Sequence, residues 1–188
     1  FAATRPSVRA PILGLLPGTV YRARVVASNR CGSAMGDVVA FETGPLPADL
    51  PAYTASGHSP SPGYLVISAG MDGLSLDNTG RVVWYHRFPG GPGLNFQAQP
   101  NGRYVARPPT ETGAPPTWVE LTPEGVVTRT LGCAHGLAPR MHDLLAESDG
   151  SYWVLCDEVR TVDLSAQGDS PRARVLGTAV QHRSATGD

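Results

Sequence analysis

The residues LDNTGRVVW at positions 76–84 decide the fold, because a similar stretch, LTPEGVV, returns at positions 121–127. Gly80 and Gly125 are 45 residues apart, and a third related stretch, VDLSAQG at positions 162–168, ends 43 residues after Gly125. Polar residues before a glycine, flanked by apolar residues, predict a tight turn between two antiparallel strands. The spacing therefore predicts a repeated unit of hairpins.

A second pair of stretches repeats in the same way. FQAQPNGRYV at positions 96–105 corresponds to HDLLAESDGSYWV at positions 142–154, and Gly102 and Gly150 are 48 residues apart. A repeat of this length, made of short strands and turns, is typical of β-propeller blades. One blade cannot bury its own faces, so we expect about two to three blades of a larger ring, with no helix.

Composition agrees with an all-β globular chain. The sequence has 188 residues, of which 41% are hydrophobic and 16% charged, so it is expected to fold. It contains 22 Gly and 18 Pro, a content that suits many short strands joined by tight turns.

Charge and residue types exclude several functions. The net charge is −1 without a basic run, so we expect no nucleic-acid partner. The sequence lacks an apolar stretch long enough for a transmembrane segment. All 15 basic residues are Arg, which excludes a Schiff-base or P-loop lysine in this sequence. We find no metal-ligand spacing and no cofactor motif, so neither a metal nor a cofactor is expected.

The first 44 residues have a different pattern. Residues 20–27 alternate, with Tyr21 on the apolar face, and residues 37–43 predict a second strand. The run from Leu16 to Gly32 resembles the last strands of a fibronectin type III domain, whose tyrosine corner Tyr21 would form. The resemblance covers only about half of such a domain, so residues 1–44 are expected to be its C-terminal part.

The domain boundaries follow from composition. Residues 45–62 are rich in Pro, Gly and Ser and predict an extended linker. Residues 63–188 then contain the repeats, as the N-terminal blades of the propeller. Because a further hairpin turn is due at Gly187-Asp188, we expect the chain to be a fragment that ends within a blade.

Three cysteines leave two alternatives open. Cys31, Cys133 and Cys156 are an odd set, and buried thiols are the simpler interpretation. Cys133 and Cys156 can form a disulfide if their strands are neighbours, which the sequence alone does not decide.

The strongest candidate for chemistry is His142. The 48-residue offset aligns His142 with Leu94, so the repeat accepts an apolar residue where this blade has an imidazole. Imidazole is the side chain best suited to proton transfer near neutral pH. The alternative is a surface histidine beside a turn. Asp143 is adjacent, but neighbouring strand residues point to opposite faces, which disfavours a His142–Asp143 pair.

Three further residues are weaker candidates for contacts with an anionic substrate. Arg140 and His135 lie in the loop that precedes His142, where a solvated surface position is the alternative. Arg160 follows Asp157 and Glu158 on a predicted strand, and a structural ion pair is its default role.

A family resemblance rests on four stretches: DNTGRVVWY at 77–85, MHDLL at 141–145, DGSYWVL at 149–155 and RTVDLS at 160–165. Together they resemble the arylsulfotransferase (aryl-sulfate sulfotransferase) propeller family, over about residues 63–188. Members of that family often have a small β-sandwich before the propeller. The motif Asp-x-x-Gly-x-Val-x-Trp also occurs in other propellers, including quinoprotein-like ones.

The resemblance implies nucleotide-independent sulfuryl transfer. A channel histidine attacks the sulfur of an aryl sulfate, the phenolate leaves, and the sulfuryl group then passes to an acceptor phenol. His142 matches a family motif that contributes a channel histidine, as a sulfate-contacting or acid–base group. The nucleophilic histidine is expected in a later blade, beyond Asp188, so the fragment alone is expected to be inactive. Partners are then small aryl sulfates and phenols.

Two other functions remain open. The first is a secreted, non-catalytic binding module in which a sandwich and a propeller hold a partner or glycan. The second is a quinone-dependent dehydrogenase, which requires a calcium or quinone site that the sequence does not reveal. The family resemblance also suggests export, so a secreted, periplasmic or cell-surface location is expected.

Overall fold

The structure is a computed structural model that describes residues 10–59, 61–89, 94–108 and 116–188. Within these ranges it is all-β: fourteen strands and one short 3-10 helix at Ser165–Gln167, without an α-helix. The strands form several small antiparallel sheets, none of which closes on itself. The predicted fold class is thereby confirmed at the level of all-β structure.

The first four strands form two separate two-stranded sheets. They are β1 (Val20–Ala23), β2 (Val26–Asn29), β3 (Gly32–Met35) and β4 (Val39–Glu42). β1 pairs with β4 and β2 pairs with β3, so the single strand predicted over residues 20–27 is divided in two. The predicted contact of Tyr21 is present, since the backbone N–H of Leu16 donates to its hydroxyl oxygen at 2.7 Å. Assignment to the fibronectin type III fold remains a prediction.

Three larger sheets follow in chain order. Sheet I contains β5 (Leu65–Ala69), β6 (Asp72–Leu76) and β7 (Val82–Arg87). Sheet II contains β8 (Leu94–Ala98), β9 (Tyr104–Arg107), β10 (Trp118–Leu121) and β11 (Val127–Leu131). Sheet III contains β12 (Ala138–Ala146), β13 (Tyr152–Val162) and β14 (Ala173–Arg183). In each sheet the strands lie in sequence order and are antiparallel, as consecutive hairpins require.

One turn type is repeated throughout the three sheets. In this turn a glycine with a positive φ donates its N–H to the carbonyl of the residue three positions earlier. The N–H of that residue in turn donates to the carbonyl of the residue that follows the glycine. Only glycine adopts this backbone conformation without strain. The turn recurs at Gly80, Gly102, Gly125, Gly150 and Gly187. The sequence predicted all five, including the one at the end of the chain.

The third predicted repeat start contains a different kind of turn. Gly168 lies between β13 and β14, the last two strands of sheet III, as Gly80 and Gly125 lie between the last two strands of sheets I and II. Gly168, however, ends a 3-10 helix, and the turn geometry of Gly80 and Gly125 returns at Gly187, after β14. In addition, β13 is one strand of 11 residues, because every residue from Tyr152 to Val162 pairs with β14.

The sheets pack face against face around two clusters of buried residues. Between sheets I and II lie Phe88, Phe96, Ala106 and Leu121, with Trp84 and Tyr104 against them. Between sheets II and III lie Val105, Trp118, Leu131, Leu144, Ala146, Tyr152, Val154 and Cys156. Phe96 and Leu144 occupy the same place in consecutive sheets, as the 48-residue offset predicts. β8 contacts both β5 and β12, so the first strands of the sheets lie side by side.

Gly73 of sheet I lies directly against the Phe96 ring of sheet II. A Cβ at this position would lie 2.6 Å from Cγ of Phe96, whose ring covers the glycine. Phe96 is only 4% exposed, and its ring contacts both Trp84 and Tyr104 at centroid distances of 5.5 and 4.9 Å. A ring held in such a close-packed aromatic cluster has little room to move aside.

We expect Gly73→Ala to lower the free energy of unfolding by about 1–3 kcal/mol, because the new methyl group overpacks this interface. Gly44→Ala is the matched control, since a Cβ there meets nothing within 4 Å and its φ is unremarkable. Urea denaturation followed by circular dichroism measures both. Equal stability of the two variants would contradict the described packing of Phe96 on Gly73.

Candidate active site

The first strand of sheet III leaves its regular pairing at the residues that the sequence marks as a candidate site. β12 pairs with β13 at Pro139–Cys156 and again at Leu144–Val154, so four residues of β12 stand opposite one residue of β13. We call these four, residues 140–143, the bulge segment. Bulges redirect side chains and are frequent beside functional sites.

Sheet II holds the bulge segment through its carbonyl groups. The side-chain amide of Asn95 donates to the carbonyl of Met141 at 3.1 Å and also to that of His142. The indole N–H of Trp118 donates to the carbonyl of Arg140 at 3.0 Å. Backbone carbonyls that the irregular ladder leaves without a strand partner are thereby satisfied. The conformation of the segment depends on contacts between sheets.

A chain of amides along β8 fixes the orientation of Asn95. Gln97 Nε2 donates to Asn95 Oδ1 at 2.8 Å, and Gln99 Nε2 donates to Gln97 Oε1 at 3.2 Å. Gln99 Oε1 in turn accepts from the backbone N–H of Ala146 at 2.7 Å. Because the Asn95 oxygen is engaged as an acceptor, its NH₂ group is directed to the bulge segment.

Arg140 lies on the bulge segment with its guanidinium group partly buried. Its Nε lies 3.2 Å from Asp157 Oδ1, and its Nη1 donates to the Thr178 hydroxyl. Asp157 Oδ1 is buried, and the described residues give it no well-aligned hydrogen bond. The contact with Arg140 is therefore an ion pair without a directed N–H···O bond. A guanidinium group held in this way keeps donors available for an oxyanion.

Arg107 is a residue of this region that the sequence interpretation missed. It ends β9 two residues after Val105, on the face of sheet II that packs against sheet III. Its Nε is buried and has no hydrogen-bond partner among the described residues. Burial lowers the pKa of Arg107, and the nearby charge of Asp157 opposes that shift. The sequence does contain a sign of it: Arg107 shares a strand face with Val105, where the alternation of apolar and polar residues predicts an apolar side chain.

His142 and Asp143 are both exposed to solvent. In the described structure no hydrogen bond joins the His142 ring to the Asp143 carboxylate, in line with the expectation that they do not pair. Asp143 lines a shallow cavity with Leu145 and Trp153 on the outer face of sheet III, and His142 does not line that cavity. An exposed imidazole on a fixed backbone can exchange protons with a bound molecule.

A disulfide fixes the loop that carries His135. Cys133 and Cys156 are bonded, with their Cα atoms 6.1 Å apart, which decides between the two alternatives left open for the cysteines. Cys156 pairs with Pro139, the residue before Arg140, so the loop is tied next to the start of the bulge segment. His135 has a positive φ of 58° and is exposed.

Arg160 lies far from the bulge segment. It lies on the distal half of β13, five residues beyond Leu155, which corresponds to roughly 16 Å along an extended strand. Its Nη2 is 2.7 Å from Glu158 Oε2, and its side chain is 69% exposed. This is the structural ion pair that the sequence analysis gave as the default role of Arg160.

The described residues hold neither a metal-ligand cluster nor a membrane-spanning helix. No group of three His, Cys, Asp or Glu side chains in the described ranges is placed to hold a metal ion. Over the same residues, the structure has no helix with the length and apolar character needed to cross a bilayer.

The chain was compared with known proteins in three ways. No protein-family model, no curated protein and no solved structure matches it. The candidate site is therefore interpreted from its own geometry.

Proposed function

We propose that the chain is part of an arylsulfotransferase-like protein, in which sheets I to III are successive blades of a β-propeller. Residues 10–44 would then be the last strands of a fibronectin type III-like domain. Three antiparallel sheets that pack face against face, with their first strands side by side, support the propeller. The shared turn geometry of the sheets supports it as well.

One observation carries the functional proposal: the bulge segment holds Arg140 and exposes His142 on the first strand of sheet III. In a propeller this strand would line the central channel. The proposed reaction passes a sulfuryl group from an aryl sulfate through a histidine to a phenol. A phenolate is already a good leaving group, so the site must chiefly supply an imidazole and cations for the sulfuryl oxygens.

Residues of the bulge segment, together with Arg107 of β9, divide these tasks. Arg140, with Arg107 beside the same carboxylate, provides N–H donors that match a tetrahedral oxyanion. His142 contacts the sulfuryl group or accepts the proton of the acceptor phenol. Arg160 is too distant for a direct contact and is left out of the proposed site.

The disulfide supports an extracytoplasmic location. Disulfides such as Cys133–Cys156 persist in oxidising compartments and are rare in the cytosol. We therefore propose that the protein acts in the periplasm, at the cell surface or outside the cell.

A non-catalytic binding module is the second candidate function. It is favoured by the separation of the predicted site residues, since Arg160 lies far from His142 and His135 belongs to an exposed loop. Sulfuryl transfer requires several cationic groups to converge on one point, whereas a binding surface does not.

We expect His142→Ala to lower turnover by about 10²-fold or more, because a positioned acid–base group contributes at least that factor. The assay measures transfer from nitrophenyl sulfate to a phenol by the protein at its natural full length. His58→Ala is the matched control, since His58 is an exposed loop histidine. A folded wild-type protein without transfer activity would remove the enzyme proposal. Equal rates for the two variants would remove His142 from the site.

A further inference from the structure

A cavity lies where sheets I and II meet, apart from the bulge segment. Sheet I contributes Ser75, Val83 and Trp84 to its lining, and sheet II contributes Tyr104. The other lining residues belong to segments outside the strands: Leu13, Gly14, Tyr64 and Pro123. We call this space the aromatic cavity. Its walls come from parts of the chain that are distant in sequence, so the cavity is a product of the tertiary structure.

Two rings of the aromatic cavity belong to a packed aromatic cluster. The ring centroids of Trp84 and Tyr104 are 4.8 Å apart, and their planes differ by 29°. Both rings also stack on Phe96, which is 4% exposed. Side chains that are already packed lose little further conformational freedom when a ligand binds, so this part of the wall is preorganised for a flat apolar molecule.

Two hydroxyl groups accompany the rings. Ser75 pairs with Trp84 across β6 and β7, and it is 4% exposed although its side chain is polar. In the described part of the chain, neither the Ser75 hydroxyl nor the Tyr104 hydroxyl forms a hydrogen bond with another residue. Burial raises the pKa of Tyr104, so its O–H stays protonated and can donate near neutral pH. A ligand with a polar group can therefore satisfy both hydroxyls.

Charged side chains are absent from the described lining of the aromatic cavity. The contrast is with the cavity at the turns of sheets II and III, which is lined by Arg103, Glu120 and Arg129 among others. An ion that entered the aromatic cavity would lose its hydration without gaining an opposite charge. The chemistry of the lining thus favours a neutral ligand.

The size of the aromatic cavity limits the ligand to a single ring. Its volume is about 190 Å³. An apolar cavity of roughly 150 Å³ is large enough for benzene. Sites for drug-sized ligands occupy about 300 Å³ or more, which also excludes a chain of sugars.

We propose that the aromatic cavity binds a small neutral phenol. The phenol ring packs against Trp84 and Tyr104, and its hydroxyl exchanges hydrogen bonds with the hydroxyls of Ser75 and Tyr104. A phenol matches each property of the lining, because it is flat, uncharged near neutral pH and carries one group that both donates and accepts. The inference is independent of sulfuryl transfer. Tyr104 and Arg107 are the two ends of β9, about 10 Å apart along the strand, so the cavity is separate from the proposed site.

The indole N–H signals of the full chain provide the test. The chain has three tryptophans, so a proton–nitrogen correlation spectrum contains one such signal each for Trp84, Trp118 and Trp153. We expect p-cresol to shift the Trp84 signal saturably and to leave the other two in place. Benzoate, a ring of similar size with a negative charge, should shift none of them. A Trp84 signal that does not respond to p-cresol, equal shifts of all three signals, or equal affinity for benzoate would each overturn the proposal.

A conservative substitution tests the hydroxyl contact. Tyr104→Phe keeps the ring, so toluene should bind as in the wild type, whereas p-cresol should bind about 3- to 10-fold more weakly. Tyr85→Phe is the matched control, since Tyr85 is next to Trp84 and does not line the aromatic cavity. Equal affinity of the two variants for p-cresol would contradict the proposal. If Tyr104→Phe does not fold, Ser75→Ala carries the same test.

The source of the ring is tested with N-acetyltyrosinamide, which carries the same phenol on a peptide backbone. Because the volume of the aromatic cavity suffices for one ring only, this compound should bind more weakly than p-cresol. Tighter binding of N-acetyltyrosinamide would contradict a free phenol and would assign the cavity to a tyrosine side chain of a partner protein.

Discussion

Trp118→Ala is expected to lower the free energy of unfolding by about 4 kcal/mol, the cost of emptying a fully buried tryptophan site. Trp118 is 0% exposed and lies in the cluster between sheets II and III. Its indole N–H also satisfies the Arg140 carbonyl. The substitution therefore removes packing and leaves a backbone acceptor of the bulge segment without its partner.

Trp153→Ala is the matched control for this prediction. Trp153 is 42% exposed on the outer face of sheet III, where it stacks on His182 at a centroid distance of 4.5 Å. Its loss should cost about 1 kcal/mol or less, as for most substitutions at exposed sites. Urea denaturation followed by far-ultraviolet circular dichroism compares the variants. Similar losses for Trp118→Ala and Trp153→Ala would contradict the described interface between sheets II and III.

Trp118→Phe separates the two roles of Trp118. Phenylalanine keeps most of the apolar volume but has no N–H to donate to the Arg140 carbonyl. We expect an intermediate loss of stability, because a carbonyl deprived of its partner costs about 1–3 kcal/mol. If the bulge segment contains the site, this variant should also weaken sulfuryl transfer while leaving the protein folded.

Removal of the disulfide is expected to cost about 3 kcal/mol, because the bond restricts the unfolded chain over a 23-residue separation. Cys133→Ser combined with Cys156→Ser should therefore unfold at clearly lower urea concentration than the wild type. The same change frees the loop that carries His135 from Cys156, the β13 residue that pairs with Pro139.

Cys31→Ser is the control for the cysteine variants, because Cys31 is exposed and not bonded in the structure. Its stability should match that of the wild type within experimental error. Alkylation without a reductant, followed by intact-mass analysis, should label one cysteine in the oxidised wild type and three after reduction. Labelling of all three cysteines before reduction would contradict the Cys133–Cys156 bond.

Strand positions and turns could be predicted from sequence because their signals are local. The left-handed conformation at Gly80 or Gly150 requires glycine, and the polar residues before it stabilise the same turn wherever it occurs. The sequence predicts two separate strands over residues 151–157 and 159–164, which the structure joins in β13. Asp157 and Glu158 interrupt the apolar alternation, yet both pair regularly with β14.

The candidate site was only partly predictable. His142 and Arg140 were found because they are reactive side chains next to a repeat strand, and both lie on the bulge segment. Arg107 was missed because its proximity to Asp157 depends on how sheets II and III pack. Arg160 was included because it is close in sequence, although strand extension carries it away from the bulge segment.

The sequence by itself determined the all-β class, the recurring glycine turns and the offset that places Phe96 and Leu144 at equivalent positions. These features depend on backbone conformations that neighbouring residues dictate. Only the tertiary structure decided that residues 46–53 cover sheet I, that Cys133 bonds Cys156, and that β12 bulges at residues 140–143. Each of these depends on surfaces that meet after the chain has folded, and residues distant in sequence leave no periodic signal of such contacts.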